Sequence, residues 1–109
     1  MQRMAMVIGL KADKVADYKR LHANVWSEIL DQIRKCNIHN YSIYLKEPEN
    51  MLFGYWEYSG DNFEADTALM AADPRTKEWW ALTDPCQQPL KTRKEGEMWA
   101  MMEEVFHCD

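Results

Sequence analysis

The chain has 109 residues and is short of the residues that build many special sites: four glycines, four prolines, three cysteines and three histidines. Gly9, Gly54, Gly60 and Gly96 are scattered, so no glycine-rich phosphate loop is present. Cys36, Cys86 and Cys108 are far apart, and none has the spacing of a zinc or redox motif. Free thiols in a reducing compartment are expected. No two histidines are spaced to share a helical face, so a metal site is not expected. Basic charge is also scarce. Thirteen Lys and Arg face eighteen Asp and Glu, a net charge of −5. Nucleic-acid binding rests on neutralising phosphates, and this balance argues against it. The one basic cluster, Lys91, Arg93 and Lys94, is followed at once by Glu95 and Glu97 and reads as a solvated loop. The N-terminal stretch Met1–Leu10 has one basic residue and an apolar run too short for a membrane span, and no small-residue cleavage site follows it. No membrane partner and a cytoplasmic location are therefore expected. Repeats, low-complexity tracts and linker-like stretches are missing too, which leaves one domain over residues 1–109.

Apolar residues make up 47% of the chain, ample for a single core. Met4–Leu10 is apolar and short, a strand buried on both faces. Asp13 is read as the N-cap of a helix running to about Cys36. Its stripe is Val15, Tyr18, Leu21, Val25, Ile29 and Ile33, in steps of three and four. Tyr41–Leu45 alternates and is rich in strand formers. With Met51–Tyr58 across the turn Glu47-Pro48-Glu49-Asn50 it makes a hairpin. Phe63–Ala72 is helical in pattern. Asp73-Pro74 caps and starts a further short helix carrying Trp79 and Trp80. Asp84–Gly96 reads as a loop, and Met98–His107 as the last strand.

The order βαββαβ gives an α+β, ferredoxin-like fold: a four-stranded antiparallel sheet with its helices on one face. The other face is apolar and uncovered in one chain. A small domain buries a modest share of its surface, so two copies are expected to meet there as a homodimer, a dimeric α/β barrel.

Tyr18 and His22 are four apart on the first helix and stack on its apolar face, with Trp26 four further on. A histidine on such a stripe often packs and bonds to nearby backbone. It also suits a general acid or base in a pocket, because its proton equilibrium lies near neutral pH. Trp79 and Trp80 point about 100° apart on a helix, so at most one packs centrally. Either they fill the core or they offer an indole face to the C–H side of a pyranose. Tyr41 shares a face with Ile43 and Leu45. If that face meets the helices, Tyr41 joins Tyr18 and His22, and its buried hydroxyl needs a partner. His39 and His107 are read as structural or exposed.

These residues together resemble the L-rhamnose mutarotase family. The matching segments are Tyr18-Lys19-Arg20-Leu21-His22 with Val25-Trp26, then His39–Leu45, Asn50-Met51-Leu52-Phe53, Trp79-Trp80 and Glu104-Val105-Phe106-His107. The resemblance implies a dimeric ferredoxin-like fold, no cofactor, His22 as the proton donor, and a sugar held by Tyr18, Tyr41, Trp79 and Trp80. One stretch departs from it. Rhamnose-using members carry an Asn- and Pro-rich stretch after the Trp pair, whereas here Asp84-Pro85-Cys86-Gln87-Gln88-Pro89 leads into a charged run. L-fucose therefore stands beside L-rhamnose as substrate. The second acid or base is open, with Asp84 one candidate. Two rivals stay on the same fold: a cofactor-free monooxygenase, and a barrel that binds a ligand without catalysis.

Overall fold

A computed structural model describes residues 1–109. At its centre lies β1, Gln2–Leu10. It pairs antiparallel with β3, Met51–Tyr58, from Gln2 opposite Tyr58 to Gly9 opposite Met51. On its far side β3 pairs with β2, Ile38–Lys46. The other edge of β1 carries two short strands, β4 (Gln87–Gln88) and β5 (Ala100–Met102). The order β2-β3-β1-β4, with β5 also on β1, is the ferredoxin-like order expected.

Alternation along the strands decides what each face holds. Ile8 and Leu10 of β1 and Leu52 of β3 are buried with Tyr18 and Cys86 in the core, and Ile43 and Leu45 pack against them. The opposite face has no helix over it. There Tyr44 and Phe53 stand across from one another, 68% and 39% exposed.

Four helices, rather than three, connect the strands. The long first helix is broken. A 3-10 turn, Ala12–Lys14, leads into α1, Val15–His22, and α2 spans Ser27–Lys35. Asp13 lies inside the 3-10 turn and does not cap; Lys14 precedes α1 and offers no side-chain cap. The break falls at Ala23-Asn24-Val25-Trp26, where Asn and a β-branched Val are poor helix formers. Trp26 leaves the helical region there, at φ −59° and ψ 139°, close to polyproline II. Further on, α3 is Phe63–Ala72, capped by the Asn62 side chain on the Ala65 N–H. Then comes α4, Pro74–Thr83. Its Asp73 cap accepts from Thr76 N–H at 2.9 Å, with Pro74 in the first turn as expected.

Two further boundaries differ from expectation. The segment after α4 is not all loop: Asp84–Cys86 forms a 3-10 turn and β4 follows. The last strand is three residues long rather than ten. Continued pairing would set Glu104 beside Arg3, but the two meet through their side chains instead, at 2.8 Å. Beyond them Val105 and Phe106 are 89% and 81% exposed.

Candidate active site

His22 sits at the last turn of α1. Its ring stacks on Tyr18, centroids 4.2 Å apart and 27° from parallel, as the four-residue spacing dictates. It also meets Trp79 edge-to-face, with ring centroids 5.4 Å apart. Nδ1 lies 3.0 Å from the Tyr18 carbonyl oxygen. A carbonyl only accepts, so Nδ1 carries the proton and Nε2 holds the free lone pair. Burial pushes the imidazole pKa below its usual 6.5, opposed in part by that backbone bond. The neutral ring is therefore the resting form at neutral pH.

Tyr18 is buried beneath this ring. Its hydroxyl accepts a hydrogen bond from Gln87 Nε2 at 3.3 Å. Burial raises the phenol to about 12, against the lowering effect of that bond. Tyr41 lies on the same side of the sheet, next to a β-bulge. Between His39 and Ser42, β2 has one more residue than the facing stretch of β3. Asn40 takes up the bulge at φ 48°, a left-handed conformation that Asn tolerates. Alternation keeps Tyr41 in phase with Ile43 and Leu45, and the extra residue brings Ile38, of opposite parity, to the same cavity. Its ring meets Trp56 edge-on at 5.0 Å, and burial raises its hydroxyl pKa although the residue is 37% exposed overall.

Trp79 is the buried member of the pair on α4, and Trp80 is half-buried beside it. One edge of Trp79 meets His22. Trp26 packs against Trp79 at 5.2 Å, and Arg75 lies 4.0 Å over the Trp26 ring.

Tyr18, His22, Tyr41, Trp79 and Trp80 all line one cavity of about 1250 Å³ between the helices and the sheet. It is larger than the roughly 300–1,000 Å³ usual for small-molecule sites, so a pyranose and water can share it. The lining is mostly apolar. Sequence reasoning missed two aromatic walls, Trp56 and Trp99. It also missed Gln87, hidden inside what read as a loop. For Trp56, strand alternation in phase with Leu52 was the available signal; for Gln87 there was none. Asp84 does not line the cavity; burial raises its carboxyl pKa.

The family model for L-rhamnose mutarotase matches residues 3–108. The chain belongs to this family. It is 32% identical to the L-rhamnose mutarotase of Opitutus terrae and 31% identical to that of Oceanobacillus iheyensis, in each case over the whole of both chains. The crystal structure of an L-rhamnose mutarotase from Formosa agariphila superposes with a TM-score of 0.79 at 25% identity, covering both chains fully. Tetracenomycin F2 cyclase from Streptomyces glaucescens superposes at 0.74 with 10% identity, over 100% of this chain and 98% of the cyclase, and shows the fold alone. The fold is that of the dimeric α/β-barrel class. As a member of the mutarotase family, the chain is an isomerase of the aldose-mutarotase type.

Proposed function

We propose that residues 1–109 form a single mutarotase domain that interconverts the α and β anomers of a 6-deoxy-hexose, L-rhamnose first and L-fucose second. The observation that carries this reading is His22. Its Nδ1–H is tied to backbone, its Nε2 makes no hydrogen bond, and its ring borders a cavity walled by Tyr18, Tyr41, Trp79 and Trp80.

Mutarotation needs a proton moved from the anomeric hydroxyl to the ring oxygen. Neutral His22 takes the anomeric proton on Nε2. The C1–O5 bond breaks, the aldehyde forms, and the imidazolium donates the proton to O5. Closure on the other face of the carbonyl reverses these steps. Burial that disfavours the charged ring makes the imidazolium a stronger acid, which suits the donating step. Trp79 and Trp80 stack on the apolar face of the sugar and its methyl group, while the Tyr18 and Tyr41 hydroxyls bond the ring oxygens. A methyl in place of a hydroxyl leaves no polar group unpaired against these indoles.

The protein works as a homodimer in the cytoplasm in this reading. The uncovered face with Tyr44 and Phe53, and the exposed Val105 and Phe106, supply apolar surface for a second copy. Three free thiols fit a reducing compartment, and no helix is long and apolar enough to cross a membrane.

Magnetisation-exchange NMR tests the activity. With one anomeric proton saturated, the protein should speed transfer to the other anomer of L-rhamnose, and more slowly of L-fucose. Exchange no faster than in buffer for both sugars defeats the proposal, and faster exchange for L-fucose reverses the ranking.

A further inference from the structure

Gln87 is 6% exposed, yet its side chain is only half satisfied. Nε2 donates to the Tyr18 hydroxyl oxygen at 3.3 Å, while Oε1 is buried without any hydrogen-bond partner. A buried acceptor without a partner costs free energy, and native chains rarely keep one without reason. An apolar side chain of the same length would fill the space without that cost.

The main chain fixes where Gln87 lies. Leu10 pairs with Gln87 and Gly9 with Gln88, and the Lys11 N–H donates to the Cys86 carbonyl at 2.9 Å. A Cβ on residue 9 would sit 2.6 Å from the Gln88 carbonyl oxygen, so only glycine permits this approach. The edge strand thus delivers Gln87 to hydrogen-bonding distance of the Tyr18 hydroxyl.

A tyrosine hydroxyl has one proton and lone pairs to accept with. Gln87 occupies the oxygen as a donor, and Tyr18 makes no hydrogen bond with its own proton. Tyr18 lines the cavity. Resting on the mutarotase reading, we propose that Gln87 is a positioning residue that sets Tyr18 as a proton donor to an oxygen of the bound sugar. The opposite amide orientation would take up the Tyr18 proton and leave only lone pairs facing the sugar. Gln87 does not line the cavity and acts through Tyr18 alone. The segment that carries it is the one that departs from the rhamnose-using pattern, so it bears on which sugar is preferred.

The test is a double-mutant cycle of Gln87→Met and Tyr18→Phe, read by anomer exchange on L-rhamnose and L-fucose together with thermal unfolding. Gln87→Met removes the orphaned acceptor, so its melting temperature should equal or exceed the parent's. Its KM should rise about ten-fold, the size of one lost hydrogen bond, with kcat within about two-fold of the parent. Tyr18→Phe should raise KM at least as much, and adding Gln87→Met to it should change KM no further. An unchanged KM in Gln87→Met, or an equal rise in the Tyr18→Phe background, overturns the proposal. So does a Gln87→Met chain that melts well below the parent or fails to fold, with Gln87→Leu behaving alike, because the side chain then serves the fold. Parent protein that accelerates neither sugar instead defeats the mutarotase reading itself, a result separate from any of these.

Discussion

Replacing His22 with Phe, beside a replacement with Ala, separates the chemistry of this ring from its packing. The imidazole makes two aromatic contacts, with Tyr18 at 4.2 Å and Trp79 at 5.4 Å, and one hydrogen bond from Nδ1. Each aromatic pair contributes about 0.5–1.5 kcal/mol, and the hydrogen bond about 0.5–1.5 kcal/mol. His22→Ala loses all three, roughly 1.5–4.5 kcal/mol. His22→Phe keeps both ring contacts and loses the hydrogen bond, about 0.5–1.5 kcal/mol, a melting shift of a few degrees for a domain this size. Neither variant has a nitrogen to carry a proton. Both should lose about 10²–10⁴-fold in anomer exchange, the usual contribution of a positioned acid or base. Circular dichroism during heating gives the stability, and magnetisation exchange between the anomeric protons gives the rate. Exchange in His22→Phe within about ten-fold of the parent would refute the assignment, because such a rate needs no imidazole. A rate that followed stability, high in Phe and low in Ala, would mean that the ring only packs.

The pH dependence follows from the same ring. Burial lowers the His22 pKa, so the neutral form is the reacting one, and the exchange rate should hold level above neutral pH and fall on an acid limb centred below 6.5. A rate that declines between about pH 6 and pH 8 would instead require the imidazolium as the resting form. Linkage has the matching sign: a depressed folded-state pKa contributes stability above 6.5 that is lost as the pH falls through the folded-state value. Assembly is tested on the uncovered sheet face. Phe53→Asp with Tyr44→Asp places two carboxylates at facing positions and should convert a dimer to a monomer in sedimentation velocity. Parent protein that already sediments as a monomer removes the dimer from the reading.

Much of the fold was legible because hydrophobic period reports burial directly. The β2–β3 hairpin, the Asp73-Pro74 start of α4 and the face shared by Tyr41, Ile43 and Leu45 all followed from residue order. What was not legible depends on contacts between distant segments. The apolar stripe from Val15 to Ile33 runs in phase across Asn24 and Val25, so periodicity alone gives one helix; the break appears because Trp26 gains Trp79 and Arg75 as neighbours. The shortened last strand has a similar cause. Met98–His107 has the composition of a strand, but it pairs with β1 only over Ala5–Val7, and Glu104 meets Arg3 through side chains rather than backbone. β4 has two residues, too few for any period to register, and its place is set by Gly9 on another strand. The five residues expected to form the site do meet in one cavity, since the spacings within α1 and α4 and the phase of β2 were local facts.

The departures from regular structure are what hold His22 still. Had the first helix run on unbroken, Trp26 would lie a turn beyond His22 on the same stripe, with its face directed at the sheet. Extended backbone at Trp26 instead lets its ring lie between Arg75 and Trp79. Contacts then run without a gap from Arg75 to Trp26, Trp79, His22, Tyr18 and Gln87, the last brought in by the close approach of β4 to Gly9. Tyr18 and Trp79 both pack on the imidazole, and the backbone bond at Nδ1 sets its tautomer and leaves Nε2 without a hydrogen bond. Proton transfer to a ring oxygen depends on sub-ångström placement of the donor, and a ring packed by two aromatic neighbours meets that demand better than one on a mobile loop. A helix break and a two-residue strand, each a weakness in the scaffold when considered alone, are therefore the parts that hold the nitrogen proposed to react.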